Sequence, residues 1–281
     1  MYNEFFRLDK SPFNIQPDPE FLYPSKNHAL AIAMLEYGIQ QRSGFVVVTG
    51  EIGCGKTTLV NYLLDHLNAS VIPGVISHTA LESEDLLRWV LQAFDQAYLA
   101  EHKIELLDGF KRFLIDKKES GHQVVLIVDE AQNLTPGTLE ELRMLSNLTL
   151  HSKPLLQLIF IGQPQLRDIL EKKELDQFAQ RISADFHLTT LGADETRQYI
   201  EHRLSISGRD TPLFDDNAVE LVYRATNGIP RKINIICDTA LVYGFASKCE
   251  MITSEIVAEV LEDKSQYGTF RKKPQLQEVP S

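Results

Sequence analysis

Gly44-Phe45-Val46-Val47-Val48-Thr49-Gly50-Glu51-Ile52-Gly53-Cys54-Gly55-Lys56-Thr57-Thr58-Leu59-Val60-Asn61-Tyr62-Leu63-Leu64 reads as an apolar strand, a glycine-punctuated loop and the opening of a helix. Gly50 to Thr57 match G-x-x-x-x-G-K-[ST] in full. A loop of this kind, with a strand before it and a helix behind, aims backbone N–H groups and a helix N-terminus at phosphate. The pattern arises often by chance, and the strand-loop-helix setting is what gives it weight. Gly50, Glu51, Ile52, Gly53, Cys54, Gly55, Lys56, Thr57 and Thr58 are therefore the expected cradle of a nucleoside triphosphate. Lys56 is the loop side chain able to reach the β- and γ-phosphates, and Thr57 offers a hydroxyl to magnesium.

Working outward, apolar runs predict strands at 45–49, 71–77, 123–128, 156–161 and 184–188. Helical patterns fall at about 56–67, 83–96, 104–118 and 137–148. This alternation predicts an α/β fold with a parallel five-stranded sheet flanked by helices. Upstream, Ser11 to Pro19 is a proline-punctuated extended segment. From His28 to Gln41, Leu30, Met34, Leu35, Tyr37 and Ile39 recur at helical spacing. After Leu191 the pattern becomes purely helical, with helices opening at Asp194 and covering Asp215–Ala225, Arg231–Phe245 and Thr253–Leu261. The expected division is a nucleotide-binding domain over 1–191, a small all-helical domain over 192–263 and a disordered tail over 264–281.

Composition bounds the function. A net charge of -11 counts against a general phosphate-neutralising surface for duplex DNA. Cys54, Cys237 and Cys249 have no C-x-x-C spacing and no accompanying histidine cluster, which fits a reducing compartment without structural zinc. Cys54 reads as a small residue fitting a tight loop; a redox role would need a lowered thiol pKa. Met1 to Arg7 show no secretory signal, and no apolar run approaches the roughly 20 residues that span a bilayer. The expected location is the cytoplasm, peripheral at the inner membrane at most.

A second chemical element is Val124-Val125-Leu126-Ile127-Val128-Asp129-Glu130, an apolar strand ending in two carboxylates. Ligands sit at that end of a parallel sheet. Asp129 is suited to hold magnesium through its water shell, and Glu130 to act as general base on the attacking water. The pair points to hydrolysis driving motion; a small-molecule kinase would use the same loop without needing Glu130. Gln163, ending the strand Ile159-Phe160-Ile161-Gly162, is either a contact for the γ-phosphate or lytic water, or a turn residue. Arg181, before the last strand, and Arg231, in Gly228-Ile229-Pro230-Arg231, stand out among the arginines.

Together these elements resemble the AAA+ ATPases. The opening Phe5-Phe6…Ser11-Pro12-Phe13…Pro17-Asp18-Pro19…Phe21-Leu22-Tyr23, with Asp129-Glu130-Ala131-Gln132-Asn133-Leu134, Glu141-Leu142-Arg143-Met144-Leu145, Gly162-Gln163-Pro164 and Ile229-Pro230-Arg231-Lys232-Ile233-Asn234, narrows the likeness. It is similar to the ExeA/GspA-type secretion ATPases from residue 1 to about 262, close to the subgroup of exosortase and exopolysaccharide loci. The resemblance implies an AAA+ core followed by a helical lid, Mg2+-dependent ATP hydrolysis, and ATP and Mg2+ as ligands. It implies Gln163 at the sensor-1 position, Arg231 at the sensor-2 position on the lid, and Arg181 as an arginine finger given in trans, with Arg143 a second candidate. Phe13 and Tyr23 would lie on an adenine-wrapping segment. The implied partners are further copies in a ring-shaped homo-oligomer formed on ATP binding, and a protein of an envelope or secretion complex. A DNA-transaction ATPase of the transposition-helper type is the alternative, disfavoured by the acidic charge. Secretion-type members continue into a transmembrane helix and a periplasmic peptidoglycan-binding domain. The 281 residues hold neither, so the chain reads as either a cytoplasmic member or the ATPase portion of a longer protein.

Overall fold

The computed structural model describes residues 1–41, 44–77, 86–100 and 102–266. In chain order the helices are α1 (Tyr2–Phe6), α2 (Lys26–Gln41), α3 (Lys56–His66), α4 (Leu86–Ala93), α5 (Lys103–Glu119), α6 (Pro136–Ser146), α7 (Gln165–Leu170), α8 (Asp176–Ala179), α9 (Ala193–Ile206), α10 (Asp216–Thr226), α11 (Pro230–Ala246) and α12 (Ser254–Gln266). The strands are β1 (Phe45–Gly50), β2 (Val71–Ile76), β3 (Gln123–Val128), β4 (Thr149–Leu150), β5 (Lys153–Pro154), β6 (Leu156–Gly162) and β7 (Ile182–Leu188). They form two compact units, Pro24–Thr189 and Met1–Tyr23 with the residues from Thr190 onward.

The first unit is built on a five-stranded sheet of order β2-β3-β6-β1-β7, paired in parallel throughout. Alternate residues of β1, β3 and β6 enter separate cores, as the two-residue period of a strand requires. Phe45, Val47, Val124, Leu126, Val128, Leu158 and Phe160 join one, and Val46, Val48, Val125, Ile127, Ile159 and Ile161 the other. Burial on both faces explains why these strands read as unbroken apolar runs. Each such side chain contributes roughly 1.5–3 kcal/mol by leaving water. Register pairs Val128 with Phe160, Thr49 with Gly162 and Gly50 with Leu188, so the strands that carry the loop, the carboxylates and Gln163 end along one edge.

The bulky residues of α2 mislead about its buried face. Leu30 and Tyr37 are exposed, and the buried set is His28, Ala31, Leu35, Gly38 and Ile39. The contact is made by small residues, since a Cβ on Gly38 would stand 2.2 Å from Val46 Cγ2. The sequence also gives no sign of the β4–β5 hairpin, whose turn residues His151 and Ser152 both take positive φ (50° and 62°) without glycine. The expected helix over 83–96 is seen from Leu86 to Ala93; residues 78–85 lie outside the described residues.

In the second unit α9 to α12 enclose a core that includes Ile200, Leu204, Phe214, Val222, Ile233, Cys237, Leu241 and Val257. Asp215 starts α10 by accepting from Ala218 N at 2.7 Å. Residues Met1–Tyr23, expected with the sheet, pack here, because Phe6 and Phe13 are part of this same core. Arg203, buried on α9, donates to the carbonyls of Pro12 and Asn14 and to the Tyr199 hydroxyl, and its guanidinium lies 4.6 Å from the Phe21 ring centroid. Helix α12 continues to Gln266, into the expected tail of 264–281; residues 267–281 lie outside the described residues. Among the described residues no helix is long and apolar enough to cross a membrane.

Candidate functional site

The loop leaves β1 at Gly50 and enters α3 at Lys56, with Gly53 and Gly55 at φ 84° and 94°. Those angles are open to glycine and costly for residues with a Cβ, which accounts for the glycine the pattern requires at Gly55 and for the additional one at Gly53. The first turn of α3 leaves backbone N–H groups without helical partners, and its positive dipole end favours an anion. Glu51 and Ile52 are exposed at the loop's tip, and Thr58 is half-buried in the first turn. Cys54 is fully buried, and burial pushes its thiol pKa up, as fits a packing residue and not a redox one.

Lys56 is 6% exposed, and its Nζ donates to the carbonyls of Gly50 (2.8 Å) and Glu51 (3.1 Å). Burial lowers its pKa, and the carboxylates of Glu130 and Asp129 oppose that shift. Asp129 is equally buried; desolvation raises its pKa, against the hydrogen bond from Glu130 N at 2.9 Å and the charge of Lys56. Thr57 Oγ1 lies 3.4 Å from Asp129 Oδ2. An exposed hydroxyl and a carboxylate, delivered by two different elements, form a pair of hard oxygen donors that suits a small divalent cation.

Glu130 stands at φ 54°, a left-handed backbone that glutamate seldom adopts, directly after β3. Such strain costs of order 1–3 kcal/mol and gathers at functional positions. Glu130 Oε2 accepts from Gln132 Nε2 at 2.6 Å and from Gln163 Nε2 at 3.1 Å. Gln132 closes the ring by accepting from Gln163 N at 2.8 Å through Oε1. A flipped Gln132 amide would set oxygen against carboxylate, so the network fixes its orientation. Gln163 is thus brought onto the Glu130 carboxylate by its place at the end of β6. Gln132 escaped the sequence reading as a functional residue: it lies within the quoted Asp129-Glu130-Ala131-Gln132 run, but nothing in the spacing assigns it a task.

The arginines differ in their surroundings. Arg143 is held by Glu140 through both carboxylate oxygens, Nε standing 2.8 and 2.9 Å away, and that bond keeps the Glu140 carboxyl below its usual range. Arg181 donates to the neutral Ser146 Oγ at 2.9 Å. Arg231 is exposed in the first turn of α11, which carries no acidic residue there, so two cations, Arg231 and Lys232, stand at the end of a helix that favours anions. Phe13 and Tyr23, expected on an adenine-wrapping segment, pack within the helical unit. Phe13 is 1% exposed, edge-on to Phe214, and Tyr23 packs on Tyr199 while donating to Gln198 Oε1 at 2.6 Å. Among the described residues no cluster of three or more His, Cys, Asp or Glu could hold a metal.

This arrangement agrees with what the chain is similar to. The profile of a family described as AAA domain matches residues 39–170. General secretion pathway protein A of Aeromonas hydrophila is 42% identical over 247 residues, covering 88% of this chain and 45% of that protein. The chain thus carries an AAA domain and is similar to general secretion pathway protein A along most of its own length. It spans less than half the length of that relative. Among solved structures, the Aeropyrum pernix ORC2 protein in its ADPNP–ADP complexes superposes with a TM-score of 0.67 at 15% identity, over 91% of this chain and 72% of the other. The Thermotoga maritima RuvB Holliday junction branch migration motor follows at 0.58 and 18%, over 85% and 68%. At such identities the likeness is one of fold, and it places the AAA+ sheet and the helices that follow it in this chain.

Proposed function

We propose that the chain is an Mg2+-dependent ATPase that works as a motor or switch in cell-envelope assembly. Secretion is the favoured process, with the exopolysaccharide/exosortase system the other envelope setting, and the site lies on the cytoplasmic side, peripheral at the inner membrane. The observation that carries this reading is the 42% identity to general secretion pathway protein A, over a region that includes the loop, the carboxylates and Gln163. The alternative of a DNA-transaction ATPase is supported only by fold neighbours and is opposed by the net charge of -11.

In this reading the amides of Gly53 to Thr58 and the Lys56 ammonium hold the phosphates of ATP. Thr57 and Asp129 would hold Mg2+, which supplies charge neutralisation on the phosphates. Glu130 takes a proton from water as its oxygen attacks the γ-phosphorus, the bond to ADP breaks, and phosphate leaves. Gln132 and Gln163 orient the Glu130 carboxylate for that proton. Arg231 serves the γ-phosphate from the helical unit, its unfavourable helix-end position being relieved by the anion. A neighbouring copy in a ring supplies Arg181, favoured over Arg143 because Glu140 already neutralises the latter.

The experiment is phosphate release with Mg2+ and ATP over a range of protein concentrations, with duplex DNA added at varied salt. Turnover that climbs with assembly and ignores DNA supports the reading. A steeply salt-dependent association with duplex DNA replaces it with the alternative.

A further inference from the structure

His28, in the first turn of α2, is 4% exposed and lies against the loop. Its Nε2 is 3.1 Å from the Cys54 carbonyl oxygen, and its Nδ1 is 2.8 Å from Ser25 Oγ. A carbonyl oxygen only accepts, so Nε2 carries the proton. Ser25 Oγ, itself buried, accepts from the His28 backbone N–H at 3.2 Å and has its own proton to give to Nδ1. The chain of bonds is complete with a neutral imidazole in one tautomer, aimed at the loop. Gly55 packs on the same ring: a Cβ there would stand 3.0 Å from Nε2.

The peptide bonds are all trans among the described residues, and in a trans peptide the carbonyl and the following N–H point opposite ways. A Cys54 carbonyl drawn toward His28 therefore turns the Gly55 N–H away from it, which in a P-loop is the phosphate side. We infer that His28 is a positioning residue for the phosphate cradle, fixing the Cys54–Gly55 peptide so that the Gly55 N–H meets nucleotide phosphate, with Ser25 setting the imidazole tautomer. The inference rests on the loop's being the ATP cradle. Nothing in the loop's own sequence announces it, since the residue comes from the preceding helix.

The test measures the affinity of a fluorescent ADP analogue for the full chain, with ATP competition, in wild type, His28→Leu, His28→Gln and Ser25→Ala. Glutamine can place a donor near the position of Nε2; leucine cannot. Leaving the buried carbonyl without its donor weakens binding about tenfold in His28→Leu. His28→Gln stays within about threefold of wild type, because it keeps one neutral hydrogen bond. Ser25→Ala weakens binding severalfold and, with two buried hydrogen bonds lost, lowers the melting midpoint by a few degrees while the chain stays folded. If His28→Leu unfolds, the other two variants carry the test. Equal affinity in wild type and Ser25→Ala, or in wild type and a folded His28→Leu, overturns the inference, as does a His28→Gln as weak as the leucine variant. Lys56→Ala separates the two levels: if wild type binds no better than it, the nucleotide reading itself falls.

Discussion

Replacing Arg203 by methionine should loosen the N-terminal segment from the helical unit. Methionine keeps an apolar stem of similar length and removes the guanidinium. Three acceptors lose a donor: the carbonyls of Pro12 and Asn14 and the hydroxyl of Tyr199. Two of them keep a second partner in Asn234, whose side chain donates to Asn14 O at 3.3 Å and accepts from Tyr199 Oη at 2.9 Å. The cost therefore concentrates on Pro12, at about 1–3 kcal/mol for a buried acceptor left without a donor. Loss of the stacking on Phe21, 4.6 Å from the guanidinium, adds about 0.5–2 kcal/mol. The total is about 3 kcal/mol, or roughly 6–12 °C in the melting midpoint of a chain this size. Differential scanning calorimetry gives the midpoint, and limited proteolysis reports whether cleavage appears between Lys10 and Tyr23. A variant that melts with wild type and resists protease over that segment would refute the argument that Arg203 ties it down.

Other outcomes follow from the site. Lys56→Ala loses ATP binding by equilibrium dialysis, whereas Glu130→Gln binds ATP but hydrolyses it about 10²–10⁴-fold more slowly. Gln132→Ala lowers kcat about tenfold with little change in KM, as expected for one charge-assisted hydrogen bond to the base; an unchanged kcat removes Gln132 from the site. Burial raises the Asp129 pKa in the folded chain, so ionisation there destabilises the fold once the pH exceeds the unfolded value of about 4. Asp129→Asn should then resist urea better than wild type at pH 7, with the advantage shrinking as pH falls through the folded pKa, while Mg2+-dependent turnover is lost. Arg181→Ala leaves ATP affinity intact and removes the dependence of turnover on protein concentration, a loss of about 10³-fold or more if the arginine acts in trans.

What could be read from the chain divides along physical lines. Strands β1, β3 and β6 were legible because both their faces are buried, and Val46 to Val48 or Val124 to Val128 leave no polar position to blur the run; the edge strands β2 and β7 are partly exposed and carry a weaker signal. The loop was legible because the geometry demands glycine at Gly55, where φ is positive, and at Gly50, where a Cβ would stand 2.9 Å from the Leu188 carbonyl oxygen. Helix α2 was found but only Leu35 and Ile39 of its buried face, since Ala31 and Gly38 pack there too and weigh little in a count of bulky side chains. The turn at His151 and Ser152 carries no glycine or asparagine to mark it. Phe13 is apolar whether it wraps a base or fills a core, so sequence alone could not tell the two apart. His28 and Gln132 reach Cys54 and Gln163 through hydrogen bonds between distant parts of the chain, and spacing along a chain does not encode those.

The packing of Met1–Tyr23 with the residues after Thr190 makes the sheet unit an insertion within the helical one. On a ribosome the first segment emerges long before its partners, and Phe6 and Phe13 must wait in solvent while the whole sheet unit is made. The sheet unit, contiguous from Pro24 to Thr189, can close as soon as β7 has been synthesised, because domains tend to fold as units during synthesis. The helical unit, whose core joins Phe6 to Val257, must form after the sheet unit. In this protein the order of manufacture puts the nucleotide loop in place before the unit bearing Arg231 exists.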